Sequence, residues 1–363
     1  MPQPSPPPAV LITGGAGFLG SHVVRGMLND ERYAGLKLLV LDDLSGGFLQ
    51  NIPDSPCIEF VQGSILDDAA VDRIFREHTI RFVFHLAAYA AEGLSHFIRR
   101  FNYSNNLIGS VNLINASVRH QVERFVFTSS IAVYGSAQVP MTEATVPEPE
   151  DPYGISKLAV EMDLKAAERM FGLPFTIFRP HNVYGEFQNI GDRYRNVVGI
   201  FMNRILQNLS LPVFGDGSQQ RAFSYVGDLI PAIIGSPFVA ASRNAVFNVG
   251  ASTPVSVKDL AEIVSREFGV TPNLEFLPPR NEVQIAWSDH SRCDEVFGAV
   301  PETSLADGIR RMATWVRSVG ARRSQSFDNI EITDGLPPSW QPAELPEKHR
   351  PQATSPSGEV AAE

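Results

Sequence analysis

The chain has 363 residues, 44% of them hydrophobic, with a formal net charge of −10. That length allows one large domain or two smaller ones around a sizeable core. The acidic balance argues against a nucleic-acid binder, which shows a basic patch or domain, but leaves room for an anionic ligand in a locally positive pocket.

Residues 2–8 are mostly proline and are expected to be disordered. The opening MPQPSPPPAV has neither a positive start nor an apolar run, so no secretory signal is read there. From Ala9 onward, short apolar runs alternate with helical patterns. Strands are expected at 10–12, 38–41, 59–61, 82–86, 124–128 and 175–179. Helices are expected at 18–29, 67–78, 103–120 and 153–171. This alternation predicts an α/β fold, a doubly wound parallel sheet of the Rossmann type covered on both faces.

After Gly185 the pattern loosens. A helix is expected at 196–208 and strands at 213–214 and 247–249. Ser256 and Asp259 have the form of a capping box, with Asp in place of Glu or Gln, opening a helix that ends near Gly269. The longest apolar stretch, 229–241, is short of the ~20 residues that span a bilayer, so no membrane partner is expected and the protein is read as cytoplasmic. Residues 337–363 are rich in Pro, Ser, Glu and Gln and are expected to be a disordered tail. The division is thus 1–8 disordered, 9–185 a dinucleotide-binding domain, 186–336 mainly a smaller substrate-binding lobe with segments returning to the main sheet, and 337–363 a tail. Cys57 and Cys293 are far apart, and the eight histidines form no pair at ligand spacing, so neither a disulfide framework nor a metal site is expected.

TGGAGFLG, residues 13–20, follows the first strand directly and opens the first helix. Gly14, Gly17 and Gly20 let a tight turn form and a pyrophosphate approach the backbone. The free N–H groups and dipole at the helix start, at Phe18 and Leu19, then hold negative charge. Asp42, 22 residues past Gly20, ends the second strand. A carboxylate there accepts from ribose hydroxyls and repels a 2′-phosphate, which favours NAD over NADP. Asp43 is a second, weaker candidate.

Tyr153 and Lys157 form YGISK at a helix start. Four residues are slightly more than one turn, so both lie on one face. A lysine ammonium and a nicotinamide cation bring a phenol's pKa of ~10 down. The pair can then take a proton from a sugar hydroxyl. Ser130, in TSSIAVYG, can share that proton.

With these motifs in hand, the chain resembles the extended short-chain dehydrogenase/reductases, in particular the NAD-dependent nucleotide-sugar epimerases and dehydratases, over about residues 9–315. The resemblance is carried by TGGAGFLG, LDDLSGG, HLAA at 85–88, NN at 105–106, SSIAVYG, YGISK, RPHNVYG at 179–185, FGDGSQQRAFSYVGDL and PPRNEV. It implies NAD as cofactor and a homodimer paired through the helices at 103–120 and 153–171. It further implies that Ile65, Leu86, Ala87, Ala88, Asn106 and Pro180 meet the cofactor. Ser64 stands where the family usually has the Asp that meets the adenine.

Substrate binding is implied at Asn182, Asn196, Val213, Phe214, Arg221 and Arg280, the two arginines serving the diphosphate. The family's dehydratases carry Asp-Glu after the residue matching Ser130, and its decarboxylases carry Glu at the second slot. Here those slots are Ile131 and Ala132. The 3,5-epimerising members need a Cys in that slot and a Lys where this chain has Gly191. The pattern that remains is that of a UDP-glucose 4-epimerase-like enzyme acting on a UDP-hexose. Alternatives are a net 4-dehydrogenase or 4-ketoreductase, another epimerase acting on a GDP- or dTDP-sugar, and a catalytically inactive NAD-binding protein. Ala286 leaves room for an N-acetyl group. Asn182 and Asn189 differ from the Thr and Arg of glucuronate epimerases, although Arg193 and Arg195 could serve a carboxylate.

Overall fold

A computed structural model of the chain describes residues 8–279, 283–324 and 327–341. Its main sheet contains β1 (Pro8–Thr13), β2 (Lys37–Asp42), β3 (Ile58–Gln62), β4 (Thr79–His85), β5 (Arg124–Thr128), β6 (Phe175–Pro180) and a seventh strand, Ala245–Val249. The spatial order is β3-β2-β1-β4-β5-β6 and then Ala245–Val249, every neighbour parallel. The seventh strand comes from the carboxyl-terminal half, which thus returns to the sheet.

Strict alternation along buried strands sorts the core into two faces. Val10, Ile12, Leu38, Val40, Phe82, Phe84, Val126 and Phe178 point to one side, where α1 (Phe18–Leu28) and the Val226–Gly235 helix cover them. Ala9, Leu11, Leu39, Leu41, Val83, Phe125, Phe127 and Ile177 point to the other, under α2 (Asp68–Glu77) and the Gly109–Arg119 and Pro152–Phe171 helices. Near-continuous apolar runs are what a parallel sheet covered on both faces requires. The strand order reverses between β1 and β4, so a crevice opens there at the carboxyl ends of the strands.

The helix expected at 103–120 begins earlier, at Arg99, and carries a π-helical stretch, Ser104–Ile108, before Gly109–Arg119. Such stretches concentrate at functional sites, and this one holds Asn106. The apolar run 229–241 divides into the end of the Val226–Gly235 helix and two 3₁₀ turns. Among the described residues no helix is long and apolar enough to cross a membrane.

Beyond β6, small sheets build the second lobe. Leu211–Phe214 pairs with Leu274–Leu277, and Gln220–Ala222 lies between Pro254–Ser256 and Ile285–Ala286. The Ser256 cap forms as expected: its Oγ accepts from Asp259 N at 3.0 Å. The expected tail boundary at Pro337 is corrected. Residues 337–341 belong to the folded body, with Pro338–Trp340 forming a 3₁₀ turn and Trp340 only 4% exposed. One large aromatic suffices where a polar stretch finds a prepared apolar cleft, here Ala91, Leu94, Ile98 and Tyr194.

Candidate active site

A cavity of about 1240 Å³ runs along the crevice. At one end lies the glycine turn. Gly14 has φ +70, and a Cβ there would lie 2.7 Å from Ala87 N, so no other residue fits without moving the loop after β4. Gly17 ends the turn and caps α1 without any side-chain bond to the first-turn N–H groups, whereas Asp67 caps α2 and Asp151 caps the Pro152–Phe171 helix. Gly17, Phe18, Leu19 and Gly20 line the cavity, so the uncapped amino end of α1 faces it.

Asp42 is buried at the end of β2, where its carboxylate accepts from Ala16 N at 3.0 Å and Leu44 N at 2.8 Å. Burial pushes its pKa up and these N–H bonds oppose the rise. With Gly17 N–H also acting on the carboxylate, at least one lone pair remains for a further donor. Asp43 also lines the cavity, with its carboxylate accepting from Ser45 N. These features fit the diphosphate and ribose of a dinucleotide: a glycine cradle, an uncapped helix start and a held carboxylate.

Leu86, Ala87 and Ala88 line the next stretch, held by a buried network. Thr13 Oγ1 accepts from Ala87 N at 3.3 Å and pairs with His85 Nδ1 at 2.8 Å, while His85 Nε2 meets Ser110 Oγ at 2.7 Å. Burial depresses the His85 pKa to about 3.

Midway, Ser130, Tyr153 and Lys157 meet in the cavity wall. Asp151 caps the helix by accepting from Gly154 N, and Pro152 supplies a preset first turn. A Cβ on Gly154 would lie 2.5 Å from Ala132 O, so the glycine lets this helix start seat against the Ser130 loop. The Ser130 side chain lies near enough to Tyr153 to favour the ionised phenol. Ser130 Oγ also accepts from Ala132 N at 3.1 Å.

Lys157 Nζ donates to Thr128 O at 2.8 Å and lies 5.7 Å from the centre of the Tyr153 ring. Burial pushes Lys157 down to about 7, with Glu161 opposing. Burial also holds the Tyr153 phenol above its ordinary value; the Ser130 side chain opposes this, and the charges of Asp151 and Glu92 add to it. The lowering expected from Lys157 together with a nicotinamide cation does not act on the phenol in the protein alone, where desolvation is the largest influence.

Beneath this trio lies an ion pair. Glu161 is one turn beyond Lys157 on the same helix face, and its carboxylate accepts from Ser129 Oγ at 2.6 Å and Arg179 Nε at 2.9 Å. Arg179 also donates to Tyr134 Oη at 2.7 Å, and Tyr134 donates to Asn248 Oδ1 at 2.8 Å. Residue spacing carried a signal for Glu161: Tyr153, Lys157 and Glu161 recur every four residues.

The far end is built from scattered segments. Asn182, Asn196, Phe214, Arg221 and Ala286 line it, as does Pro180 nearer the middle. Asn182 holds φ +41, and its carbonyl accepts from Ser224 N. Asn196, expected among the substrate-binding residues, also has its amide engaged in structure: Oδ1 accepts from Val198 N at 3.0 Å, capping the Val197–Leu206 helix, and Nδ2 donates to Val183 O. Arg221 donates to Gln220 O and Gln284 O.

Three expected site residues do not line the cavity. Ser64 turns away, its Oγ accepting from Leu66 N, although its neighbour Ile65 is in place. Asn106 is buried behind the wall, where it accepts from Tyr89 N at 2.8 Å and donates to Tyr89 O and Asn102 Oδ1. It positions the loop after β4. Val213 is fully buried, because alternation along Leu211–Phe214 sends it to the core and Phe214 toward the cavity. Arg280 lies outside the described residues. Glu92 and Trp340 line the cavity and were not anticipated; neither falls in a recognisable motif.

Residues 10–250 match the NAD dependent epimerase/dehydratase family. A putative UDP-glucose 4-epimerase of Methanocaldococcus jannaschii is 33% identical over 313 residues, covering 85% of this chain and 98% of that protein. The structure of a UDP-glucose 4-epimerase with UDP-glucose from Thermotoga maritima, 33% identical, superimposes with a TM-score of 0.79 over 86% of this chain and 99% of that one. A mouse dTDP-D-glucose 4,6-dehydratase is 28% identical, covering 85% of this chain and 88% of that protein. With the glycine cradle, Asp42 and the Ser130–Tyr153–Lys157 cluster in one cavity, the chain belongs to the NAD-dependent epimerase/dehydratase family of enzymes, and its cofactor is NAD.

Proposed function

We propose that the enzyme is a nucleotide-sugar 4-epimerase acting on a UDP-hexose, with residues 9–185 holding NAD and 186–336 holding most of the substrate. The carrying observation is the cavity wall beside Tyr153. Ile131 and Ala132 line it where a dehydratase needs an acid and a base, and Ile131 packs in an apolar cluster with Val133, Met141 and Ala286. What remains is machinery for moving one proton at a sugar hydroxyl.

NAD, held by the Gly14–Gly20 turn and Asp42, supplies the hydride acceptor and donor for carbon 4. Tyr153 removes the proton of the 4-hydroxyl, and Ser130 shares it. The 4-keto sugar turns over between the substrate-end residues, which presents the other face of carbon 4 for hydride return, and Tyr153 gives the proton back to the 4-oxygen. Lys157 in its charged form stabilises the phenolate, helped by the cofactor's positive charge. Phe214 contacts the base, and Arg221 and Asn182 face the diphosphate. The small Ala286 leaves space at the sugar, so a 2-acetamido hexose also fits this reading.

The test is incubation with UDP-, GDP- and dTDP-hexoses carrying deuterium at carbon 4. The expected product has unchanged mass, an inverted 4-hydroxyl and a retained label. Turnover that needs stoichiometric added cofactor points to a net oxidoreductase. A second reading has its own observation: Glu92 lines the same cavity and its charge reaches Tyr153. A carboxylate so placed could remove a second proton, and a product that has lost water would establish that reading instead.

The helix running from 99 to 119 and the Pro152–Phe171 helix leave Ile108, Ile155 and Met162 exposed, at 52%, 39% and 61%. These side chains support a homodimer paired through the two helices. A monomeric mass by light scattering at micromolar concentration would reject it.

A further inference from the structure

After the Leu305–Val319 helix, the chain comes back as a strap, residues 327–341, that closes one wall of the cavity. Its first anchor is Phe327, whose ring lies 5.3 Å from Tyr89 and 5.0 Å from Phe101, and whose N–H donates to Tyr194 Oη at 3.1 Å. Its second is Glu331, whose carboxylate accepts from Arg100 N and Phe101 N, both at 2.8 Å, while Glu331 N donates to Phe97 O. Its third is Trp340, buried to 4% exposure, with ring centroids 5.5 Å from Tyr194 and 6.4 Å from Phe214. Ser339 O accepts from Arg193. The strap lies beyond residues 10–250, which carry the family match.

Two consequences follow from this geometry. Trp340 and Phe214 form one aromatic wall of the cavity, from segments more than a hundred residues apart. The strap also grips Arg193 and Tyr194, and so holds the loop that brings Arg195 into the cavity, where Arg195 stacks on Tyr89 at 4.3 Å and its charge reaches Tyr153. We propose that the 327–341 strap completes the nucleotide end of the substrate site, with Trp340 as a specificity-determining residue that contacts the base together with Phe214. This rests on the reading that the ligand is a nucleotide sugar. An aromatic base is the ligand group that such a wall recognises, since aromatic rings favour offset and edge-to-face contact.

The experiment uses the full-length chain with Trp340→Ala, Trp340→Phe and Glu331→Ala, titrated with UDP by calorimetry and assayed with the nucleotide sugar that wild type turns over. Trp340→Ala is expected to raise the UDP Kd and the sugar-nucleotide KM together by about tenfold, the scale of a lost base–aromatic contact, with kcat and NAD content near wild type. Trp340→Phe is expected to recover most of the affinity. Glu331→Ala is expected to act in the same direction by less, because it loosens the strap without touching the cavity.

A second measurement does not depend on how the alanine variant folds. With Trp287→Phe and Trp315→Phe in place, Trp340 is the sole tryptophan, and UDP is expected to change its fluorescence. Unchanged UDP affinity in Trp340→Ala, tighter binding in that variant, or a silent Trp340 signal overturns the proposal. If wild type turns over a nucleotide sugar and Trp340→Ala does so with the same KM, only the strap's role fails. If wild type binds no nucleotide at all, the proposed function fails with it.

Discussion

The two ends of the cavity are made differently. The NAD end is assembled from near neighbours: Gly14 to Gly20 form one continuous turn, and Asp42 reaches back to Ala16 by one hydrogen bond. Its chemistry is mostly backbone, with N–H groups at a helix start and glycines that admit close approach. The far end, proposed above for the substrate, is lined by side chains of Asn182, Phe214, Arg221, Ala286 and Trp340, each delivered by a different segment. A backbone site leaves its mark as a short motif, because spacing is the function. A side-chain site leaves no such mark, because each residue can be exchanged separately.

Tyr153 stands where the ends meet, and its loss should have the largest effect. Tyr153→Phe keeps the ring and removes the proton carrier, so turnover should fall by about 10²–10⁴-fold with NAD content and UDP affinity intact. Near-wild-type turnover by product analysis would remove the phenol from the mechanism.

The next change separates the ends from the cofactor side. Gly14→Ala places a Cβ against Ala87 N in a left-handed conformation. It should cost about 1–3 kcal/mol of stability and strip NAD from the purified protein, while UDP binding survives. Equal NAD content by absorbance after acid release would show that the turn is looser than its geometry implies.

From the other side, Phe214→Ala should raise the sugar-nucleotide KM by roughly tenfold, as expected for a lost base–aromatic contact, with kcat and NAD content unchanged. A fall in kcat with unchanged KM would place Phe214 in the chemistry rather than in binding.

The last test concerns three buried histidines of the folded body. Burial pushes His85 and His181 down to about 3 and His290 to about 4. Unfolded, each titrates near ~6.5. Below that pH the unfolded chain binds protons that the folded chain refuses, so stability is lost as pH falls from ~6.5 toward the folded values. The slope should approach ~1.4 kcal/mol per pH unit for each histidine. Urea melts at pH 7 and pH 5 give the slope, and His85→Gln should reduce it. A stability that does not change between these pH values would mean that the histidines gain protons without unfolding.

The legibility of each part follows the same division. Strands such as Val10–Ile12 and Phe82–His85 were readable because a sheet buried on both faces needs unbroken apolar runs. Gly14, Asp42, Tyr153 and Lys157 were readable as neighbours in one cavity because turn and helix geometry fix their spacings. Asn196 reaches the cavity as an engaged helix cap, and Asn106 and Val213 lie behind its wall, for physical reasons the local sequence does not carry. One amide is consumed as a helix cap, one clamps the backbone of Tyr89, and strand alternation turns the valine inward. The tail boundary moved because Trp340 finds a cleft made by residues 91–101 and 194.

By itself the sequence determined the fold class, the glycine turn at the cofactor end and the placing of Tyr153 and Lys157 on one helix face, since these rest on periodicity and contacts within a few residues. The tertiary structure alone decided which side chains share the substrate end, how far burial raises the Tyr153 phenol and lowers Lys157, and that residues 327–341 close the cavity. Those outcomes depend on desolvation and on contacts between segments a hundred or more residues apart, and no local pattern encodes either.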